Sequence, residues 1–480
     1  MGKDGIVRNS AYNMIKTMAG IIFPLITFPY ISRVLRAENV GKINFGNSII
    51  GYIGLIASLG VSTYAIRACS QEKKNQNSLN RIASEIFSIN MISTGVAYLV
   101  LVILLLFWMP LAEYRELILI QSGTILFTTL GADWINSAME DFRYLAVRTT
   151  LVQLISLLAM FAFVHEPKDY FKYAAITVIA QSGGNIANII YRRRFCNIHF
   201  TLRIDWKKHF PPIITLLGML LAQQIFVNVD TTMLGIMKGD LEVGLYSTAT
   251  KIYLIVNQMI ASIAWVVMPR MSLLLAEKNS KKIEKLLEYV GNIIATMGVP
   301  CVTGMLFLAT DILEIAAGSE YIAAATALRI LAVALAFSLM GGFLGNIILL
   351  PAGKEKICFY ACTVSAIANL GANFVLIPRF GMNAAACTTA LSQLINLLIS
   401  FAYARNYTDF RYMKKIIIAP LLEAFVIAVL CMTAQLTIEN VYLRVIVILL
   451  LSAAAYLPIL ITTKNQLGLI IVEKVKQLKT

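Results

Sequence analysis

The chain has 480 residues, of which 58% are hydrophobic and only 14% charged, and its 41 Lys and Arg against 26 Asp and Glu give a net charge of +15. Ordinary soluble domains carry about 25% charged residues, so a water-soluble globular fold is excluded. The composition calls for an all-α polytopic membrane protein, because lipid offers no partner for unpaired backbone groups and a stretch of roughly 20 apolar residues crosses the bilayer as a helix.

The hydropathy pattern predicts about fourteen spans, at 11–32, 43–66, 83–109, 116–137, 144–164, 170–191, 212–235, 243–268, 289–310, 321–350, 357–377, 382–404, 416–437 and 441–462. The basic segment 1–10 lacks a small-residue cleavage site after it, so the first span reads as a retained helix and not as a signal peptide. An even number of spans places both termini on one side. With that side cytoplasmic, most of the 41 basic residues fall in the tails and inner loops, as the positive-inside rule requires. The basic balance therefore needs no nucleic-acid partner. Lys464, Lys474, Lys476 and Lys479 agree with a cytoplasmic C-terminus, and 465–480 reads as an amphipathic tail on the membrane surface. The longest breaks, 192–209 and 271–288, are both cytoplasmic, and the second (SLLLAEKNSKKIEKLLEY) has the pattern of a surface helix. Outer loops of about ten residues or fewer leave no room for an extracellular catalytic domain. The seven cysteines are scattered without metal or disulfide spacing and act as small apolar residues.

An internal repeat is visible. Val40, Gly41 and Arg67 recur in order as Val243, Gly244 and Arg270, and Thr177, Gln181, Tyr191 and Arg193 recur as Thr389, Gln393, Tyr403 and Arg405. The repeat predicts an N-lobe at 1–205 (spans 1 to 6), a C-lobe at 206–405 (spans 7 to 12), and spans 13 and 14 at 406–464 outside the symmetry. Because six is even, the pseudo-twofold axis runs along the membrane normal, and parallel repeats of this kind place a substrate path between lobes.

No GxxxxGK[ST] loop, GxSxG elbow or HExxH pair is present, and the three histidines lie near loops. The expectation is a secondary transporter, neither an enzyme nor a cofactor protein, driven by an ion gradient with H+ or Na+ as candidate coupling ions, by the membrane potential or by onward consumption of the product. Ionisable groups inside spans are the informative residues, since each costs about 2.5–3.5 kcal/mol at mid-bilayer on insertion scales unless it meets water or a partner. Lys251, well inside span 8, is a cavity cation for an anionic substrate, a structural partner of Asp230, or a side chain that snorkels to the interface. Lys16 is the analogous group in span 1. Asp230, in NVDTT of span 7, is a charge partner or an ion-coupling ligand. Arg67 and Arg270 close spans 2 and 8 at equivalent repeat positions, as cytoplasmic anchors or as cations of the inner mouth. Arg33 and Arg36 form a basic pair on the outer side, against the rule, which makes them candidates for the exit mouth. Pro24 and Pro29 in FPLITFP each remove a helical hydrogen bond and mark span 1 as a candidate hinge. Glu85, Glu423, Arg329 and Arg444 read as solvated or headgroup positions near span ends.

Several strings, FPLITFPYISRVL, VGKINFGNSIIGYIGLIASLG, GVSTYAIR, LGADWINSAMEDFRYLAVR, VGLYSTATKIY, LLPAGKEK and FGMNAAACTTALSQ, resemble the bacterial polysaccharide-export flippases of the multidrug/oligosaccharidyl-lipid/polysaccharide superfamily. The resemblance implies two six-helix lobes in a V with two added helices, alternating access, and a bacterial plasma-membrane location. It implies a substrate of undecaprenyl diphosphate carrying an oligosaccharide, moved from the inner to the outer leaflet, with membrane lipid and other polysaccharide-assembly membrane proteins as partners. Carried over to this chain, the diphosphate ligands are Lys16 and Lys251, with Arg67 and Arg270 at the inner mouth. Asp133 and Trp134 match a family-like stretch that either contacts sugar or serves as an interface belt. An ion-coupled multidrug antiporter of the same superfamily is the alternative.

Overall fold

The computed structural model describes residues 3–277, 279–407 and 413–462; the side chain of Lys16 and the tail 465–480 lie outside the described residues. Every regular element among them is helical. The α-helices are α1 (Lys3–Ser58), α2 (Val61–Gln71), α3 (Gln76–Phe107), α4 (Arg115–Gly131), α5 (Trp134–Ala138), α6 (Phe142–Phe163), α7 (Tyr170–Val178), α8 (Gly184–Tyr191), α9 (Trp206–Met237), α10 (Asp240–Ala276), α11 (Ser280–Phe307), α12 (Ala309–Ala317), α13 (Ala325–Gly342), α14 (Glu355–Ala404), α15 (Met413–Thr437) and α16 (Val441–Thr462). Nine helical stretches among the described residues are long and apolar enough to cross a membrane, so the chain is a multi-pass membrane protein.

Two of those nine are double length and broken once. α1 breaks at Arg36 (φ 68, ψ 167) and α14 at Gly381 (φ 56, ψ −135). The ten-residue outer loop expected after span 1 shrinks to one residue with a left-handed φ. Glycine takes that conformation freely at 381, whereas at 36 an arginine holds it, at a cost of about 1–3 kcal/mol. Neither Pro24 nor Pro29 is the break. Both sit in helical backbone, where the Pro24 carbonyl accepts from Thr27 Oγ1 (3.4 Å) and the Pro29 carbonyl from Arg33 Nη1 (2.7 Å). Of the other expected spans, those at 116–137, 170–191 and 212–235 correspond to α4, to α7 and α8, and to α9. Within 170–191 the wider turn Ile179–Gly183 joins α7 to α8, and a similar π-helical segment, Phe343–Leu349, follows α13.

Polar caps start the helices that rise from the expected cytoplasmic side. Asn75, Asp141, Asp205 and Asn279 each accept from the backbone N–H three residues on, at 3.2–3.3 Å, opening α3, α6, α9 and α11. The expected surface helix at 271–288 is not a separate element. α10 continues to Ala276, the Asn279 cap intervenes, and α11 takes up the rest.

The chain divides into two compact units, Met1–Gly244 and Leu245–Thr480. α9, which the repeat assigns to the second lobe, packs on α1 and groups with the first unit; Thr232 Oγ1 donates to Ser48 Oγ at 2.9 Å. The start of α10 also meets α1 inside this unit. Gly41 and Gly244, the repeat-equivalent glycines, lie where the two backbones nearly touch: a Cβ on Gly41 would stand 1.8 Å from the Asp240 carbonyl oxygen, and one on Gly244 1.9 Å from that of Ala37. Only glycine permits this approach. In the second unit, Arg444 of α16 binds the buried Asp311 of α12 through both oxygens (2.6 and 2.8 Å), so neither is the solvated residue its sequence position suggests for Arg444.

Candidate functional site

Three groups of polar side chains emerge from these helices. The first lies where α2, α3 and α9 meet. Arg67 is exposed on α2, its guanidinium 5.9 Å from the Tyr64 ring centre, and a cleft of about 350 Å³ beside it is lined by Tyr64, Gln71, Glu72, Lys208 and Pro212. Behind the cleft the Tyr64 hydroxyl meets His209 Nδ1 at 2.8 Å, and His209 Nε2 meets Glu85 Oε2 at 2.9 Å. Arg81 Nε and the Asp205 N–H complete the carboxylate at 2.9 and 3.2 Å. His209 is 0% exposed within an apolar cluster that includes Val61, Leu79, Ile82, Ile86 and Ile213. Glu85 is thus no headgroup residue but the hub that ties the entry of α9 to α2 and α3. The Arg81–Glu85 spacing of four on a helix was a visible signal for it.

The second group surrounds Asp133. Its two oxygens receive both terminal nitrogens of Arg148 at 2.9 and 2.5 Å, and Arg148 Nη2 also donates to Asn185 Oδ1 at 3.2 Å. Asn188 donates to the Gly131 carbonyl and to Asn136 Oδ1, both at 2.8 Å, and Arg192 Nη1 donates to the Leu130 carbonyl at 2.6 Å. These bonds satisfy the end of α4 and hold α5, α6 and α8 together. Trp134 is 4% exposed in the apolar cluster. Its ring therefore packs as core and presents no face to a sugar. An open cleft of about 600 Å³ on the same side contains Glu140, Asp141, Arg143, Arg194 and the stacked rings of Tyr144 and Tyr191, 3.5 Å apart at 4°.

The third group belongs to the second unit. Lys251 is half-buried on α10, eleven residues beyond its first residue and well inside the span. The same helix carries polar residues that bond within that unit. The Tyr246 hydroxyl meets Thr389 Oγ1 at 3.1 Å, Tyr253 Oη accepts from Gln393 Nε2 at 3.4 Å, and Asn257 Oδ1 accepts from Ser338 Oγ at 3.4 Å. Thr389 and Gln393 are two of the repeated residues. Arg270 is exposed near the end of α10. Asp230 is buried on α9 of the first unit, and Arg33 and Arg36 are exposed at the break of α1. The arrangement offers cations at a helix end and at mid-span, on a helix that also carries the polar side chains of Tyr246, Tyr253 and Asn257. Such a set suits an anionic, hydroxyl-rich solute.

The family model described as polysaccharide biosynthesis protein matches residues 6–275. The chain is similar to an O-antigen transporter of Shigella dysenteriae, 24% identical over 76% of this chain and 91% of that one. It is also similar to the capsular polysaccharide biosynthesis protein CapF of Staphylococcus aureus, 23% identical over 83% and 98%. Among solved structures, the lipid II flippase MurJ in its inward closed conformation matches with a TM-score of 0.75 at 16% identity, covering 96% of this chain and all of that one. An inward-facing multidrug MATE transporter of the MOP superfamily matches with a TM-score of 0.60 at 16% identity, covering 84% and 97%. The fold is thus that of MurJ and MATE, and the chain belongs to the polysaccharide biosynthesis protein family.

Proposed function

We propose that this chain is a lipid-linked glycan flippase: it moves an oligosaccharide on undecaprenyl diphosphate from the inner to the outer leaflet of a bacterial plasma membrane. The observation that carries the reading is Lys251, a lysine well inside a spanning helix of a chain that belongs to the polysaccharide biosynthesis protein family. A diphosphate head with several hydroxyls cannot cross hydrocarbon unaided, because all of its hydration is lost at once. A wet basic cleft replaces that hydration while the polyprenyl tail stays in lipid. In this reading fourteen spans form two lobes, residues 1–205 and 206–405, with spans 13 and 14 beside them and both termini cytoplasmic. The lobes rock between inward and outward states around the site. Arg67 and Arg270 receive the head at the inner mouth, Lys16 and Lys251 hold the diphosphate, and Arg33 and Arg36 stand at the exit. Asp133 positions helices through Arg148. Energy comes from an ion gradient with H+ or Na+ as candidate coupling ions, from the membrane potential or from onward consumption of the product. The MATE-like fold also suits cation antiport, but a lysine at mid-span disfavours cationic cargo.

Complementation tests this. In a bacterium lacking its own O-unit flippase, the wild type restores surface glycan and Lys251→Ala, inserted at equal level, lowers it by about tenfold or more, the loss of one charge-assisted contact of about 1.5–3 kcal/mol. Lys251→Arg retains part of the activity, as the charge persists with altered geometry. Full complementation by Lys251→Ala removes this lysine from the mechanism.

A further inference from the structure

α15 carries a buried stripe along one side: Ile416, Ala419, Glu423, Ile427, Cys431 and Ala434, spaced by three and four residues. Five are apolar or small. The sixth is a glutamate, 1% exposed, and neither of its carboxyl oxygens has a hydrogen-bond partner among the described residues. It sits about two turns, roughly 10 Å, inside the spanning stretch Ile416–Thr437 at 1.5 Å per residue. The stripe packs on α11, and α16 closes the other side. Toward the far end of the stripe, about two turns beyond Glu423, Cys431 lies within electrostatic reach of Asp311, which is paired with Arg444 of α16. Tyr456 of α16 lies within electrostatic reach of both Glu423 and the Cys301 thiol of α11, but its hydroxyl is committed to the Thr296 carbonyl at 2.5 Å. No ion pair with Lys, Arg or His reaches Glu423 among the described residues.

A carboxylate without counter-ion or donor at this depth is not a stable resident of a membrane helix. It must hold a cation. A metal ion such as Na+ needs several further oxygen ligands, which the apolar stripe does not provide, whereas a proton needs only the carboxylate itself. We propose that Glu423 is a proton-binding site and that its proton is exchanged with water during the transport cycle. The step is a simple protonation: an O–H bond forms on one carboxylate oxygen as a proton arrives from the aqueous phase, and breaks when α15 shifts enough to admit water. Room for such a shift is present. An apolar cavity of about 350 Å³ opens two turns away between α11, α13, α14 and α15, where Ile416 and Ile417 face Gly291 and Phe343. The exchange half of the proposal rests on the transport reading above; the proton site does not.

Infrared spectroscopy of the purified protein in lipid tests the site without any substrate. At neutral pH the wild type should show a protonated-carboxyl carbonyl band that shifts in D2O and fades reversibly as pH rises. Glu423→Gln, a neutral isostere, should remove it, and Glu423→Asp should restore it at a displaced frequency. A band unchanged in Glu423→Gln overturns the proton site. For the exchange, proteoliposomes with an imposed pH gradient are loaded with polyprenyl diphosphate oligosaccharide. One proton per cycle shifts the wild-type accumulation ratio by about tenfold per pH unit, and Glu423→Gln abolishes that dependence. A wild-type ratio indifferent to the gradient overturns the exchange. Protein that shows the band but moves no substrate counts against the transport reading and leaves the site standing.

Discussion

Alanine at position 41 or 244 is expected to cost this protein most of its folded population. A methyl group on Gly41 would stand 1.8 Å from the Asp240 carbonyl oxygen, and one on Gly244 1.9 Å from that of Ala37. The obstructing atoms are backbone, and they belong to helices fixed by other bonds, such as that from the Tyr114 hydroxyl to Asp240 Oδ1 at 2.7 Å. No rotamer change relieves the clash. The helices must part by more than 1 Å, so the penalty lies at or beyond the upper end of the ~1–3 kcal/mol typical of overpacking. Gly54 provides the control, because a Cβ there would meet only Ile125 Cγ1 at an ordinary 3.8 Å. Thermal unfolding of detergent-solubilised protein, with its level in membranes, should show Gly41→Ala and Gly244→Ala far below wild type and Gly54→Ala within about 0.5 kcal/mol of it. Equal behaviour of Gly41→Ala and Gly54→Ala would mean that the backbones do not approach as described.

Removal of Arg148 is the second large effect. Its guanidinium is nearly buried and grips Asp133 through two hydrogen bonds, and the Nη2 that binds Asp133 also donates to Asn185. Arg148→Ala leaves a carboxylate unpartnered. Breaking a fully buried pair from one side costs about 3–5 kcal/mol, and because Asp133 keeps 29% of its side-chain surface in solvent, about 2–3 kcal/mol is the better expectation. Replacing both members, Asp133→Asn with Arg148→Gln, removes the stranded charge and should cost clearly less than the two single changes together. Unfolding midpoints of the four proteins form the cycle. Strict additivity would contradict the ion pair. A loss of transport in Arg148→Ala that exceeds its loss of folded protein would move Asp133 from a positioning role to a substrate-binding one.

The membrane class was fully legible in the sequence, because apolar run length is a direct physical requirement of the bilayer. Of the repeat, one small element has a structural counterpart: Gly41 and Gly244 recur as equivalents and meet in space. What stayed hidden was pairing at distance. Arg148 and Asp133 are separated by fifteen positions across a helix break, and His209, Glu85 and Tyr64 come from three helices, so no local pattern brings them together. Trp134 next to Asp133 read either as a sugar contact or as an interface-belt ring, yet the ring is buried in an apolar cluster. Loop length was also misread at Arg36, because hydropathy cannot distinguish a loop from a helix that bends at a single residue. Glu423 looked interfacial by position, although its place on a three-and-four spaced stripe with Ile416, Ala419 and Ile427 was already a sign of burial.

A flippase of lipid-linked glycan must carry its substrate from one leaflet to the other. Purified protein in liposomes doped with a fluorescent polyprenyl diphosphate oligosaccharide, initially on the inner leaflet only, gives the most direct test when a membrane-impermeant glycosidase is added outside. Cleavage should grow with time and with protein, and fall by about tenfold with Lys251→Ala. Cleavage no faster than in protein-free liposomes, from protein that instead expels organic cations, would contradict the flippase reading.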